Sequence, residues 1–108
     1  MKTKVYKYLW KSIEINEEYI YIKNNKKIQK VKIKNIEKIE LEIPQYTGIP
    51  GSGYSYNYTF KVLDNNSKLI LLNIVLERNE EKEIIEFLKN KNILLEIKYY
   101  DNRNDGTD

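Results

Sequence analysis

The sequence predicts a mainly β domain. About seven short antiparallel strands are followed by one C-terminal helix and then by a short extra strand. Three observations predict this. Apolar and polar residues alternate over run after run, the period of a strand with one buried face. The clusters Asn16-Glu17-Glu18, Asn24-Asn25-Lys26-Lys27 and Asp64-Asn65-Asn66-Ser67 interrupt those runs at short spacing, as in a meander. The 108 residues include ten tyrosines and no alanine, which tilts local preference from helix toward strand. An AT-rich genome also enriches Lys, Asn, Ile and Tyr, so composition alone assigns no role to any lysine.

The elements follow in order. Val5 to Trp10 reads as a first strand, with Tyr6, Tyr8 and Trp10 on one face, toward the core or a partner strand, and Val5 and Leu9 on the other. Alternation resumes over Ser12 to Ile15, where Ile13 and Ile15 share a face. Tyr19 to Lys23 sets Ile20 and Ile22 against Tyr19 and Tyr21. Ile28 to Ile33 turns Val31 and Ile33 inward and Lys30 and Lys32 outward. Ile33 and Ile36 are three apart, which a period of two cannot place on one face, so a bulge or a single helical turn is expected there. Ile39, Leu41 and Ile43 then face in, against Lys38, Glu40 and Glu42, until Pro44, which cannot donate to a ladder, ends the strand.

Residues 44–53, PQYTGIPGSG, read as the longest loop. Tyr54 to Leu63 returns to strand, with Tyr54, Tyr56, Tyr58, Phe60 and Val62 on one face. Leu69 to Leu76 is apolar at nearly every position and reads as a strand covered on both sides. Asn79 is the expected N-cap of a helix near residues 79–91, with Glu80, Glu81 and Glu83 complementing its dipole. Ile84, Ile85, Phe87 and Leu88 form the apolar stripe, and Asn90 or Asn92 closes the helix. At 1.5 Å per residue it is about 20 Å long, enough to cover one end of a small sandwich. Ile93 to Tyr100 alternates as the extra strand, which extends a sheet or pairs with a second copy. Residues 1–100 are thus one expected domain and 101–108 a disordered tail.

Composition excludes much chemistry. With no cysteine and no histidine, disulfides, Cys- or His-based metal sites, Cys nucleophiles and His general bases are out. No apolar run approaches the roughly 20 residues of a membrane-spanning helix. The N-terminal MKTKVYKYLW lacks the apolar stretch of a signal peptide, so a cytoplasmic location is expected. Residues 1–34 carry ten lysines and three acids, a net of +7, and the remainder carries nine basic and 13 acidic groups, a net of −4. Such a split steers anionic partners toward one side.

The segment from about Lys11 to Asn92 resembles bacterial pleckstrin-homology-like (PH-like) domains. Three stretches carry the resemblance: the hairpin IEINEEYIYIKNNKKIQKVKI, the step IKNIEKIELEI, and FKVLDNNSKLILLN with the helix that follows. The resemblance implies a β-sandwich or split barrel capped by the helix. It implies a scaffold for binding lipids, peptides or proteins rather than catalysis, and no cofactor.

Three features are candidate sites. Lys23, Lys26, Lys27, Lys30, Lys32 and Lys34 lie on one hairpin. By the resemblance, Lys23, Lys30 and Lys32 match positions where phosphoinositide-binding members carry basic residues, although no arginine is present there to grip phosphate bidentately. The bland alternative is a solvated edge that resists aggregation. The loop with Tyr46, Ile49, Pro50 and Tyr54 offers a protein contact. It lacks the lysine and following helix of a phosphate-binding loop. Tyrosines interleaved with lysines suggest single-stranded nucleic acid, although the phase of Tyr54, Tyr56 and Tyr58 with Phe60 and Val62 places them with the core or a partner strand rather than on a platform. The carboxylates of Glu40, Glu42, Glu80, Glu81 and Glu83 have no catalytic neighbours, and no buried acid is apparent, so no enzyme is expected. The first functional expectation is a protein-binding module of a small regulatory, phage-encoded or immunity type. The second is docking to anionic membrane through hairpin 23–34, and the third is single-stranded nucleic-acid binding. A homodimer is a further expectation.

Overall fold

The structure, a computed structural model, describes residues 3–44 and 55–100. The candidate loop residues Tyr46, Ile49, Pro50 and Tyr54, and the tail 101–108, lie outside them.

The chain is mainly β, with two four-stranded sheets in a sandwich-like arrangement. The first is a meander of β1 (Lys4–Tyr8), β2 (Lys11–Ile15), β3 (Tyr19–Asn24) and β4 (Lys27–Lys32), paired in sequence order. The second holds β5 (Ile36–Pro44), β6 (Ser55–Asp64), β7 (Leu69–Glu77) and β8 (Leu95–Tyr100) in the order β7-β6-β5-β8. One helix, α1 (Arg78–Lys89), separates β7 from β8. Their inner faces meet in one core. Ile13, Ile15, Ile20 and Ile22 come from the first sheet, and Leu41, Tyr58, Phe60 and Leu72 from the second. Ile84 and Leu88 of α1 complete it.

The expected first strand is two strands. Tyr8 pairs with Lys11, so Leu9 and Trp10 form a two-residue hairpin turn. Leu9 takes φ 56°, a left-handed conformation that costs a leucine about 1–2 kcal/mol. Tyr6 is buried as expected, but Tyr8 and Trp10 are not in the core: they are 45% and 66% exposed, and Leu9 is 72% exposed. The turn carries them past the edge of the sandwich. The β3–β4 turn is also two residues, Asn25 and Lys26, with Asn25 at φ 60°, which asparagine tolerates. Asn16 orders the β2–β3 turn by accepting from the amides of Glu18 and Tyr19 at 2.8 Å each.

The phase break after β4 is a single 3-10 turn, Ile33–Asn35. It carries the chain from the first sheet to the second. Ile39, Leu41 and Ile43 face the core, as the alternation predicts. Glu40, expected in solvent, is buried. It lies on the outer face of the sheet, under the side chains of two lysines from neighbouring strands.

β7 is not covered on both sides. Ile70, Leu72, Ile74 and Leu76 are buried, whereas Leu69 and Leu71 are half exposed. At Leu69 and Leu71 the outer face of β7 is left half uncovered by the described residues, and an uninterrupted apolar run cannot reveal that. α1 starts earlier than predicted. Glu77, not Asn79, is the N-cap, and it exchanges capping-box hydrogen bonds with Glu80. Asn90 is the C-cap. The extra strand β8 extends the second sheet, but it pairs with β5 in parallel rather than antiparallel. The helix supplies the long crossover that a parallel strand requires.

Candidate functional site

Strand register sorts the six candidate lysines. Ile20 and Ile22 of β3 and Val31 of β4 point into the core. Tyr19, Tyr21, Lys23, Lys30 and Lys32 therefore share the outer face of the first sheet. Lys26 sits in the β3–β4 turn and Lys27 begins β4. Lys34 stands apart in the 3-10 turn, in a depression that also holds Glu17, Glu18 and Lys91. Lys91 is paired there with Glu17 at 2.9 Å. Lys32, at the end of β4, lines the same depression, so the hairpin runs from a face-and-tip set to a pair of lysines beside acids.

Lys7 of β1 belongs with the face set, which sequence reading did not reveal. It lies opposite Ser12, which lies opposite Lys23. Glu14 is the one acid on this face among the described residues. Lys30 places its ammonium 4.0 Å from the centre of the Tyr19 ring and 5.6 Å from that of Tyr21. The two rings are tilted, 5.9 Å apart. Such cation–π contacts order the lysine without neutralising it.

The outer face of the second sheet differs. Lys61 contacts Glu40 at 3.3 Å and Glu42 at 2.8 Å. Lys98 reaches Glu40 at 3.3 Å, and Lys38 reaches Glu96 at 3.7 Å. Burial alone would raise the Glu40 carboxyl, but hydrogen bonds from Lys61 and Lys98 outweigh it and hold the group below its usual range. The carboxylate is therefore ionised and fully engaged. Sequence reading found no buried acid; this one is structural. Among the described residues, Lys7, Lys23, Lys26, Lys27, Lys30 and Lys32 form no salt bridge. One chain, with one composition, pairs its lysines on the second sheet and leaves them unpaired on the first.

The two turns at one end of the first sheet are joined. The Asn25 amide donates to the Trp10 carbonyl at 3.0 Å. Leu9 and Trp10 thus stand beside Lys26 and Lys27. Behind this tip a groove of about 400 Å³ runs to β6 and β7, lined by Tyr8, Trp10, Lys11, Asn25, Asn57 and Asn73 among others. Sequence reading missed it because no turn signal falls at Leu9-Trp10.

Two of the helix glutamates expected to complement the dipole also serve as anchors. Tyr58 donates to Glu81 at 2.6 Å and Tyr6 to Glu83 at 3.1 Å. Arg78 bonds Glu81 at 2.7 Å and the Pro44 carbonyl at 2.8 Å, and lies 4.0 Å over the Tyr56 ring. Burial, reinforced by these carboxylates, pushes both tyrosine hydroxyls well above their ordinary value. Among the described residues, no group of three or more acidic side chains could hold a metal ion, and every buried side-chain polar atom has a partner. No described helix is long and apolar enough to cross a membrane. Comparison with family models, curated proteins and solved structures finds no match to this chain.

Proposed function

We propose that this is a non-catalytic binding module that docks on anionic membrane surfaces through the outer face and tip of its first sheet. The observation that carries the reading is the contrast between the two sheets: the outer face of the second pairs its lysines with glutamates, whereas Lys7, Lys23, Lys30 and Lys32 on the outer face of the first, and Lys26 and Lys27 at its tip, form no salt bridge among the described residues. Each lysine near an anionic lipid surface contributes about 1 kcal/mol. Leu9 and Trp10, 72% and 66% exposed, add an apolar wedge, and tryptophan favours the membrane–water boundary. Single-stranded nucleic acid is less favoured. Lys30 lies over the Tyr19 ring, where a base would stack.

A protein partner at Tyr46, Ile49, Pro50 and Tyr54 is the second reading. What favours it is the grip of Arg78 on the Pro44 carbonyl, which fixes the root of that loop against the helix.

The test is co-sedimentation with phosphatidylcholine vesicles, with and without phosphatidylglycerol, at low and high salt. Binding should require phosphatidylglycerol and weaken with salt. The variant Lys26→Glu, Lys27→Glu, Lys30→Glu, Lys32→Glu should lose it. Equal binding by that variant would sink the proposal, and retention of an oligonucleotide but not of vesicles would replace it with the nucleic-acid reading.

A further inference from the structure

The groove behind the tip has a chemistry of its own. Tyr8 and Trp10 supply aromatic surface, 45% and 66% exposed. Three asparagines line it from separate elements: Asn25 from the β3–β4 turn, Asn57 from β6 and Asn73 from β7. Lys11 is its one cation, and no carboxylate lines it among the described residues. Its volume, about 400 Å³, falls in the range of small-molecule sites, about 300–1,000 Å³.

We infer that this groove is a carbohydrate-binding site, in which a sugar ring lies on Trp10 while its hydroxyls meet the amides of Asn25, Asn57 and Asn73. A hydroxyl both donates and accepts, and so does a carboxamide, with two N–H donors and one carbonyl. A row of amides is therefore matched to a polyhydroxylated rim. A phosphate needs donors only, and a site built for one would hold more cations than Lys11. A nucleobase carries its polar groups on one edge, whereas these amides are spread over three elements. The apolar C–H face of a pyranose suits an exposed indole. Asn73 is already set in place, because the Thr59 hydroxyl donates to its Oδ1 at 2.6 Å. That bond leaves the Asn73 amide hydrogens for a ligand and reduces the ordering cost of binding. Docking on anionic lipid also uses Trp10, but the saccharide site does not depend on it and is tested without lipid.

The test uses lipid-free protein and two soluble probes, maltotetraose and the N-acetylglucosamine tetramer. The chain has one tryptophan, so its emission reports on the groove directly. At least one probe should give a saturable change in that emission below tens of millimolar, with backbone amide shifts in an NMR titration confined to residues 8–11, 25, 57 and 73–75. Trp10→Ala should abolish binding, and Asn57→Ala with Asn73→Ala should weaken it about tenfold or more, the loss of about two hydrogen bonds. No saturable change with either probe, or amide shifts centred elsewhere, would overturn the inference. Because no membrane is present, failure here leaves vesicle binding untouched, and failure of vesicle binding leaves this result untouched.

Discussion

The backbone amide of Asn25 donates to the carbonyl of Trp10 at 3.0 Å, joining two hairpin turns that are separate in sequence. This bond makes one surface of an apolar turn and a lysine turn. Beside it is Leu9, held at φ 56° and, at 72%, the most exposed large apolar residue among the described residues. A strained and exposed leucine contributes nothing to the core, which directs attention to what it touches outside the chain.

Replacing Leu9 separates the two roles. Leu9→Gly relieves the left-handed penalty and should raise stability by up to about 1 kcal/mol in urea titrations, after the entropic cost of glycine. The same variant should bind anionic vesicles more weakly than the parent. A variant that loses stability and keeps full binding would contradict both halves of this prediction.

The lysine–glutamate ladder should show a graded response. Glu40→Gln removes a buried carboxylate that two lysines share, and should cost about 1–3 kcal/mol. Glu42→Gln, at a more exposed position, should cost under about 1 kcal/mol. The folded-state carboxyl of Glu40 ionises more readily than the unfolded one. Its contribution is therefore present above the ordinary carboxylate range, about pH 4.3, and disappears as pH falls through the lower folded value. Urea titrations of parent and Glu40→Gln should accordingly converge in acid.

Alkali should act through Tyr6 and Tyr58. Both hydroxyls are harder to ionise in the folded chain than in the unfolded one. Above about pH 10 the unfolded state releases its protons first, so stability falls with rising pH, by up to about 1.4 kcal/mol per pH unit for each tyrosine. The double variant Tyr6→Phe, Tyr58→Phe should start less stable at neutral pH and decline less steeply. Parallel curves for parent and variant would refute this account.

Arg78 should be irreplaceable by lysine. Its guanidinium bonds Glu81 and the Pro44 carbonyl while lying over the Tyr56 ring, a combination a lysine ammonium cannot reproduce. Arg78→Lys should cost about 1–3 kcal/mol. Hydrogen exchange should accelerate first in α1 and at the end of β5.

Much of the fold was legible because one face of each strand is buried. Ile39, Leu41 and Ile43 declare β5, and the three-residue step from Ile33 to Ile36 declares the 3-10 turn. Legibility failed where sequence carries no local mark. Leu9-Trp10 turns without glycine, proline or asparagine. Leu69 to Leu76 reads the same whether or not anything covers its outer side, and Leu69 and Leu71, in the outward phase, are half exposed. The direction of β8 depends on where a helix releases the chain, which no periodicity encodes. The lysines could be counted but not sorted. Their meaning emerged from the glutamates opposite Lys61 and Lys98, and from the lack of any salt bridge for Lys23 and Lys30 among the described residues. The groove was invisible because Trp10, Asn25, Asn57 and Asn73 are distant in sequence and meet only through tertiary packing.

The parallel strand has a consequence for synthesis on the ribosome. Residues 95–100 emerge after every strand of the sheet they join, yet they settle beside β5, which emerged some fifty residues earlier. Until then β5 presents a free backbone edge to the crowded surroundings of the exit tunnel, the kind of edge that recruits foreign strands. Protection of that edge therefore waits for β8, and a premature stop before Leu95 would release a molecule with β5 itself as the unpaired edge.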